Sequence, residues 1–207
     1  MTDKREGRIV VTGFRRFPGV ADNPSQTLVE ALEATPGLLP ASAECRLLDT
    51  AYAAVAPALE AILADPPAAL VLTGFSALAE GFKLERRASD LCSPEFADIQ
   101  GFFPPDLLGS AVNVHENLSC DIPALEASLL AEGFFCQLSD DAGQYVCNHA
   151  YHVALTRIAA LGLPTRALFV HLPALAGTPL ARTSASAMPL GEMARGVALI
   201  ARLLAEV

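Results

Sequence analysis

"RIVVTGFRRFPGVADNPSQTLVEALEA", residues 8–34, decides the fold class. It opens on a short apolar run, residues 8–14, that reads as a buried strand and stops at a glycine turn, Thr12-Gly13-Phe14. A polar stretch follows. Then comes a helical pattern, with Pro24 suited to an early helical position and Leu28, Val29 and Leu32 on one face. The unit is strand, loop, helix.

The same unit recurs along the chain. "ECRLLDT" (44–50) is a second strand, and "YAAVAPALEAILAD" (52–65) a helix expected to start near Pro57. "AALVLTGF" (68–75) is a third strand, which again stops at Thr-Gly-Phe. "PALEASLLAEG" (123–133) reads as a helix with Gly133 as its stop. Strand "FFCQL" (134–138), helix "QYVCNHAYHVALTRIAALG" (144–162), strand "ALFVHL" (167–172) and helix "LGEMARGVALIARLLAE" (190–206) complete the pattern. Alternation of this kind implies a three-layer α/β/α sandwich with a mixed, largely parallel central sheet. No repeat or linker divides residues 1–207, so a single domain is expected.

Between Phe75 and about Val112 the periodicity fades. "LERRASDL" (84–91) fits a strand, and "SPEFADIQGFFPPDLLG" (93–109) is rich in Pro and Gly. So long an excursion in a compact domain is usually functional. It is expected to act as a mobile lid over a site, with residues 93–105 the least held.

Composition narrows the function. Of 207 residues, 52% are hydrophobic, which supports a packed core. The net charge of -9, from 14 basic and 23 acidic residues, argues against a nucleic-acid partner. The polar "MTDKREGR" start and the short apolar run after it do not make a signal peptide. No apolar run reaches membrane-spanning length. The five cysteines form no C-x-x-C pair and read as reduced thiols in the cytoplasm.

"GQYVCNHAYH", residues 143–152, concentrates the reactive side chains. On a helix, Cys147 and His149 diverge, and the pair His149 and His152 lacks further ligands, so no metal site is expected. Cys147 fits an apolar stripe with Tyr151, Ala154, Ile158 and Leu161, as an inert core cysteine would. It also falls in the first turn of a helix after a strand and loop. There the helix start favours a thiolate and offers N–H groups to an oxyanion. His171, at the end of its strand, could supply the base for such a nucleophile, or be a strand-end histidine satisfied by a carbonyl. Spacing alone does not select the acid that would orient it.

Four segments, in order, resemble pyroglutamyl peptidase I, a cysteine peptidase family. They are "VTGFRRFPGVADNPS" (11–25), "LERRASD" (84–90), "SDDAGQYVCNHAYH" (139–152) and "FVHLP" (169–173). The resemblance implies a triad: Cys147 as nucleophile, His171 as general base and acid, and Glu85 as the group that orients His171. It further implies that Phe14 and Phe17 line a pocket for the pyroglutamyl ring of a peptide substrate. No metal or cofactor is expected, and the resemblance implies a homo-oligomer, tetramer or dimer. Departures from the family pattern fall at Pro18-Gly19, at Phe75 where the family has glutamine, at Asp90, and at Glu95 where an arginine is expected. They leave open an amidase or peptidase of altered acyl specificity, or a non-catalytic binding protein of the same fold.

Overall fold

A computed structural model describes residues 7–17, 20, 22–104 and 112–206. The Pro18-Gly19 departure, residues 1–6 and the excursion from 105 to 111 lie outside the described residues.

The strands and helices follow in the order β1 (Ile9–Phe14), α1 (Pro24–Ala34), β2 (Ala43–Leu48), α2 (Tyr52–Leu63), β3 (Ala69–Phe75), β4 (Phe82–Glu85), β5 (Arg87–Ser89), β6 (Val114–Glu116), α3 (Ile122–Ala131), β7 (Cys136–Ser139), α4 (Val146–Leu161), β8 (Arg166–Leu172), β9 (Ala174–Leu175), β10 (Ala187–Met188) and α5 (Leu190–Ala205). Six strands form the central sheet in the order β2-β1-β3-β8-β4-β7. β2, β1, β3 and β8 run parallel. β4 is antiparallel to β8 and parallel to β7. The sheet is therefore mixed and largely parallel, as the sequence implies.

Alternation along the strands makes two cores. Val11, Val71, Leu84, Leu168 and Val170 face α1, α3 and α5. Val10, Phe14, Leu70, Leu72, Ala167 and Phe169 face α2 and α4. A strand buried on both faces reads as a continuous apolar run, which is how β1, β3 and β8 read.

Helix ends explain the successes of the sequence reading and one miss. Asn23 accepts from Ser25 N at 3.1 Å and Asp121 from Ala124 N at 3.0 Å, so α1 and α3 start at local caps. Gly133, at φ +82°, follows α3, where a residue with Cβ would be strained. α2 instead starts at Tyr52, five residues before the expected Pro57, which lies inside it. Its cap is remote: Asp98 Oδ2 accepts from Tyr52 N at 3.0 Å.

Asp98 also holds the Pro/Gly-rich excursion. Its Oδ1 accepts from Gln100 N at 2.9 Å and Phe102 N at 3.0 Å. Ile99 N donates to Thr50 O at 3.1 Å, Ser93 N to Gln144 O at 2.7 Å, and the Tyr145 hydroxyl to Ala97 O at 3.0 Å. Residues 93–102 are thus fastened to the starts of α2 and α4. The expectation of a weakly held lid overlooked this, because a buried carboxylate collecting three N–H groups replaces the periodic apolar contacts the segment lacks.

Candidate active site

The site is a row of residues across the sheet. Gly74 of β3 pairs with His171 of β8, and His171 with Lys83 of β4. Thr12 of β1 pairs with Leu72, so Phe14, two residues on, falls beside Gly74. These side chains face α4. Glu85, two residues after Lys83, faces the same way.

Cys147 is the second residue of α4 and descends onto this row. A Cβ built on Gly74 would lie 2.8 Å from Cys147 Sγ and 3.0 Å from Phe169 Cζ. Glycine is therefore required there: the sulfur occupies the volume any other side chain would fill. Sequence reading took Gly74 only as the turn closing β3. We predict that Gly74→Ala displaces Cys147 Sγ, lowering kcat by about a hundredfold while the protein still folds. Steady-state kinetics with a circular-dichroism check tests this; wild-type kcat would contradict the packing argument.

His171 Nδ1 lies 2.8 Å from Glu85 Oε1. Glu85 is fully buried. An ionised carboxylate only accepts, so Nδ1 carries the hydrogen and Nε2 is left to take a proton. The Tyr151 hydroxyl donates to Glu85 O at 2.8 Å, which ties the end of β4 to α4. Phe169 packs beside the imidazole at a tilt of 50°, with ring centroids 4.8 Å apart. Cys147 and His171 thus lie against the same two residues, Gly74 and Phe169, and Glu85 meets His171 from the neighbouring strand.

The helix start does not set the thiol's charge as the sequence implies. Burial pushes the Cys147 thiol up to about 12, the Glu85 charge adds to this, and only its own backbone N–H pulls the other way. At rest, Cys147 is a protonated thiol. Burial also raises the other four thiols, Cys45 and Cys136 to about 11. Acidity therefore does not single out Cys147; its place over Gly74, which pairs with His171, does.

β7 departs from a simple parallel sheet. It runs with β4 against β8: Gln137 pairs with Lys83, level with His171, and the last residue, Ser139, pairs with Glu85, level with Phe169, so the strand ends two residues past His171. Residues 140–145 lead back and deliver α4 to the row. Asn148 is buried and binds the excursion. It accepts from Ser89 N at 2.9 Å and donates to Ser89 O and Leu91 O at 2.9 and 2.8 Å.

Phe14 is buried at the end of β1, and Phe17 is half-buried with its ring 6.4 Å from Tyr145. Tyr145 immediately precedes α4, and its ring lies 6.0 Å from Tyr52. Tyr145 was not anticipated, although an aromatic residue two positions before a helix-start cysteine is a readable cue. Phe75 pairs with Leu172, and strand alternation turns it to the face opposite Cys147. Glu95 is exposed, and its N–H bonds Ser93 Oγ. Asp90 Oδ1 accepts from Asn113 N at 2.9 Å and so closes the β5–β6 hairpin.

Among the described residues, no three His, Cys, Asp or Glu side chains converge to hold a metal ion. His149 and His152 instead pack against Tyr52 and His115, with centroids 5.4 and 5.1 Å apart. A groove of about 600 Å³, lined by His115, Leu155, Ile158 and Arg166, shares no residue with the row and lies about two turns along α4 from Cys147. Among the described residues, no helix is long and apolar enough to cross a membrane.

The sequence pattern of one family, described as pyroglutamyl peptidase, matches residues 7–206. The chain belongs to the pyroglutamyl peptidase family. Pyrrolidone-carboxylate peptidase of Mycobacterium marinum is 31% identical over 181 residues, covering 81% of this chain and 78% of its own. The protein of that name from Gloeobacter violaceus is 26% identical over 199 residues, covering 95% and 96%. In fold, the chain matches Bacillus amyloliquefaciens pyroglutamyl peptidase I with a TM-score of 0.84 and 24% identity, over 98% of each chain. Family membership agrees with the resemblance drawn from four short segments. The departures at Phe75, Asp90 and Glu95 are changes within the family's fold.

Proposed function

We propose that the protein is a cysteine exopeptidase that removes N-terminal pyroglutamate from peptides, with residues 1–207 as one peptidase domain. The observation that carries this is the packing of Cys147 Sγ over Gly74, beside a histidine bound to a buried glutamate, in a chain of this family.

As Cys147 Sγ attacks the carbonyl that joins the ring to the next residue, its proton passes to His171 Nε2. A C–S bond forms, and the oxyanion is held by N–H groups at the start of α4, that of Cys147 among them. The C–N bond breaks as His171 gives its proton to the departing amine. Water then loses a proton to His171 and attacks the thioester. The C–S bond breaks, pyroglutamate leaves, and the thiol regains the proton. Glu85 keeps His171 in the tautomer these steps need. Phe14 and Phe17, with Tyr145, offer apolar faces to a neutral lactam ring.

No metal or cofactor enters these steps. The free state of all five cysteines suits a cytoplasmic protein. Exposed apolar side chains such as Leu118 and Leu78 suit burial in a homo-oligomer, tetramer or dimer.

The test is a panel of aminomethylcoumarin amides bearing pyroglutamyl, prolyl, glutaminyl and acetyl groups. Rapid cleavage of the pyroglutamyl amide alone is expected. Preference for another acyl group would make the protein an amidase or peptidase of altered specificity. Cleavage of none would make it a binding protein.

A further inference from the structure

Lys83 is an unusual lysine. Its neighbours Phe82 and Leu84 enter the core under α3 and α5, and alternation turns Lys83 to the active-site face. Its side chain is 20% exposed, and Nζ lies 3.4 Å from Glu85 Oε1, the oxygen that also meets His171 Nδ1. Nζ donates to Asp141 O at 2.8 Å as well, in the loop that leads to Cys147. This half-buried ammonium is paired to the group that meets the His171 imidazole.

We infer that Lys83 is a positioning residue that sets the protonation of the Glu85–His171 pair by sharing Glu85 Oε1. The inference rests on the peptidase reading above. Without Lys83, the buried Glu85 charge would be answered by His171 alone, and the imidazole would hold a proton more tightly. With Lys83 the Glu85 charge is already met. The other ionisable groups near the pair are Cys147 and Tyr151 from α4, Asp140 and Asp141 from the loop, and Arg86 and Arg87 after β4. Arg86 is paired with Asp140, and Arg87 with Glu116 at 3.7 Å.

The sign of the effect follows. Removing a positive charge near the imidazole stabilises its protonated form, so the inactive protonated state persists to higher pH. Lys83→Met should move the acidic limb of kcat/KM upward by about one pH unit. Its deficit relative to wild type should be about tenfold below the limb and shrink as pH rises through it. Lys83→Arg keeps the charge and should return the limb to its wild-type position. A role confined to fastening the loop through Asp141 O would lower activity by the same factor at every pH.

Two measurements decide the matter: the pH profile of pyroglutamyl-aminomethylcoumarin hydrolysis, and that of Cys147 alkylation by iodoacetamide without substrate, read by peptide mass. Lys83→Gln serves as a second neutral variant should Lys83→Met not fold. An upward shift in both profiles, reversed in Lys83→Arg, is the expected result. Coincident limbs in wild type and the neutral variants would overturn the inference. If wild type does not cleave the substrate, the peptidase reading fails, and the alkylation profile still decides the role of Lys83.

Discussion

Cys147→Ala should lower hydrolysis of pyroglutamyl-aminomethylcoumarin by roughly three to six powers of ten, with the fold intact. Removing a nucleophile leaves only binding and oxyanion stabilisation, which are small beside the covalent route. The substitution is also gentle on the structure: it removes one sulfur above Gly74 and leaves no charge unpaired. Activity within about tenfold of wild type would remove Cys147 from the mechanism. Iodoacetamide should distinguish it further. Burial keeps all five thiols protonated, so ordinary acidity predicts slow alkylation of each. Cys147 lies over Gly74, which pairs with His171, and it should react first.

His171→Ala should cost nearly as much as loss of Cys147, because the two act as a unit. The thiol, pushed up to about 12, then has no group to take its proton. Below that value its reactive fraction grows about tenfold per pH unit, so alkylation of Cys147 in His171→Ala should climb with pH across the neutral range. In the wild-type enzyme it should rise only through the acidic limb, as His171 loses its proton, and then level off. Glu85→Gln should be milder than His171→Ala by one to two powers of ten. The amide oxygen of the substituted side chain can face both His171 Nδ1 and Lys83 Nζ, the two donors that now share Oε1, and so preserve the tautomer. Wild-type rates in His171→Ala would make His149 or His152 the next base to consider. Both pack on the Tyr52 and His115 side of α4, and burial lowers the proton affinity of each.

Local chemistry was legible in the sequence and remote chemistry was not. Apolar runs, Pro24 and Gly133 act within a few residues, and they marked the strands and helices of the sandwich correctly. The start of α2 was missed because its cap, Asp98, lies 46 residues away in the chain. A mixed sheet was expected, but not that β4 and β7 are the reversed strands, because strand direction is set by pairing and leaves no mark in a four-residue run. Cys147 and His171 stood out by position, but Glu85 entered only through resemblance to a family. No spacing rule links a glutamate to a histidine 86 residues on. Gly74 and Lys83 carry the same lesson. Gly74 looked like a turn and Lys83 drew no reading, until the register placed both in the row with His171.

The central claim is that Cys147 is the nucleophile of a pocket for the pyroglutamyl ring. Labelling with pyroglutamyl chloromethyl ketone, followed by peptide mapping, tests it most directly. The ring directs the reagent to its pocket, and the ketone alkylates the sulfur it meets there. We predict one label per chain, on Cys147, with activity falling in step and free pyroglutamate slowing both. Labelling of Cys45, Cys92, Cys120 or Cys136 instead, or an unlabelled Cys147 in inactivated enzyme, would contradict the account.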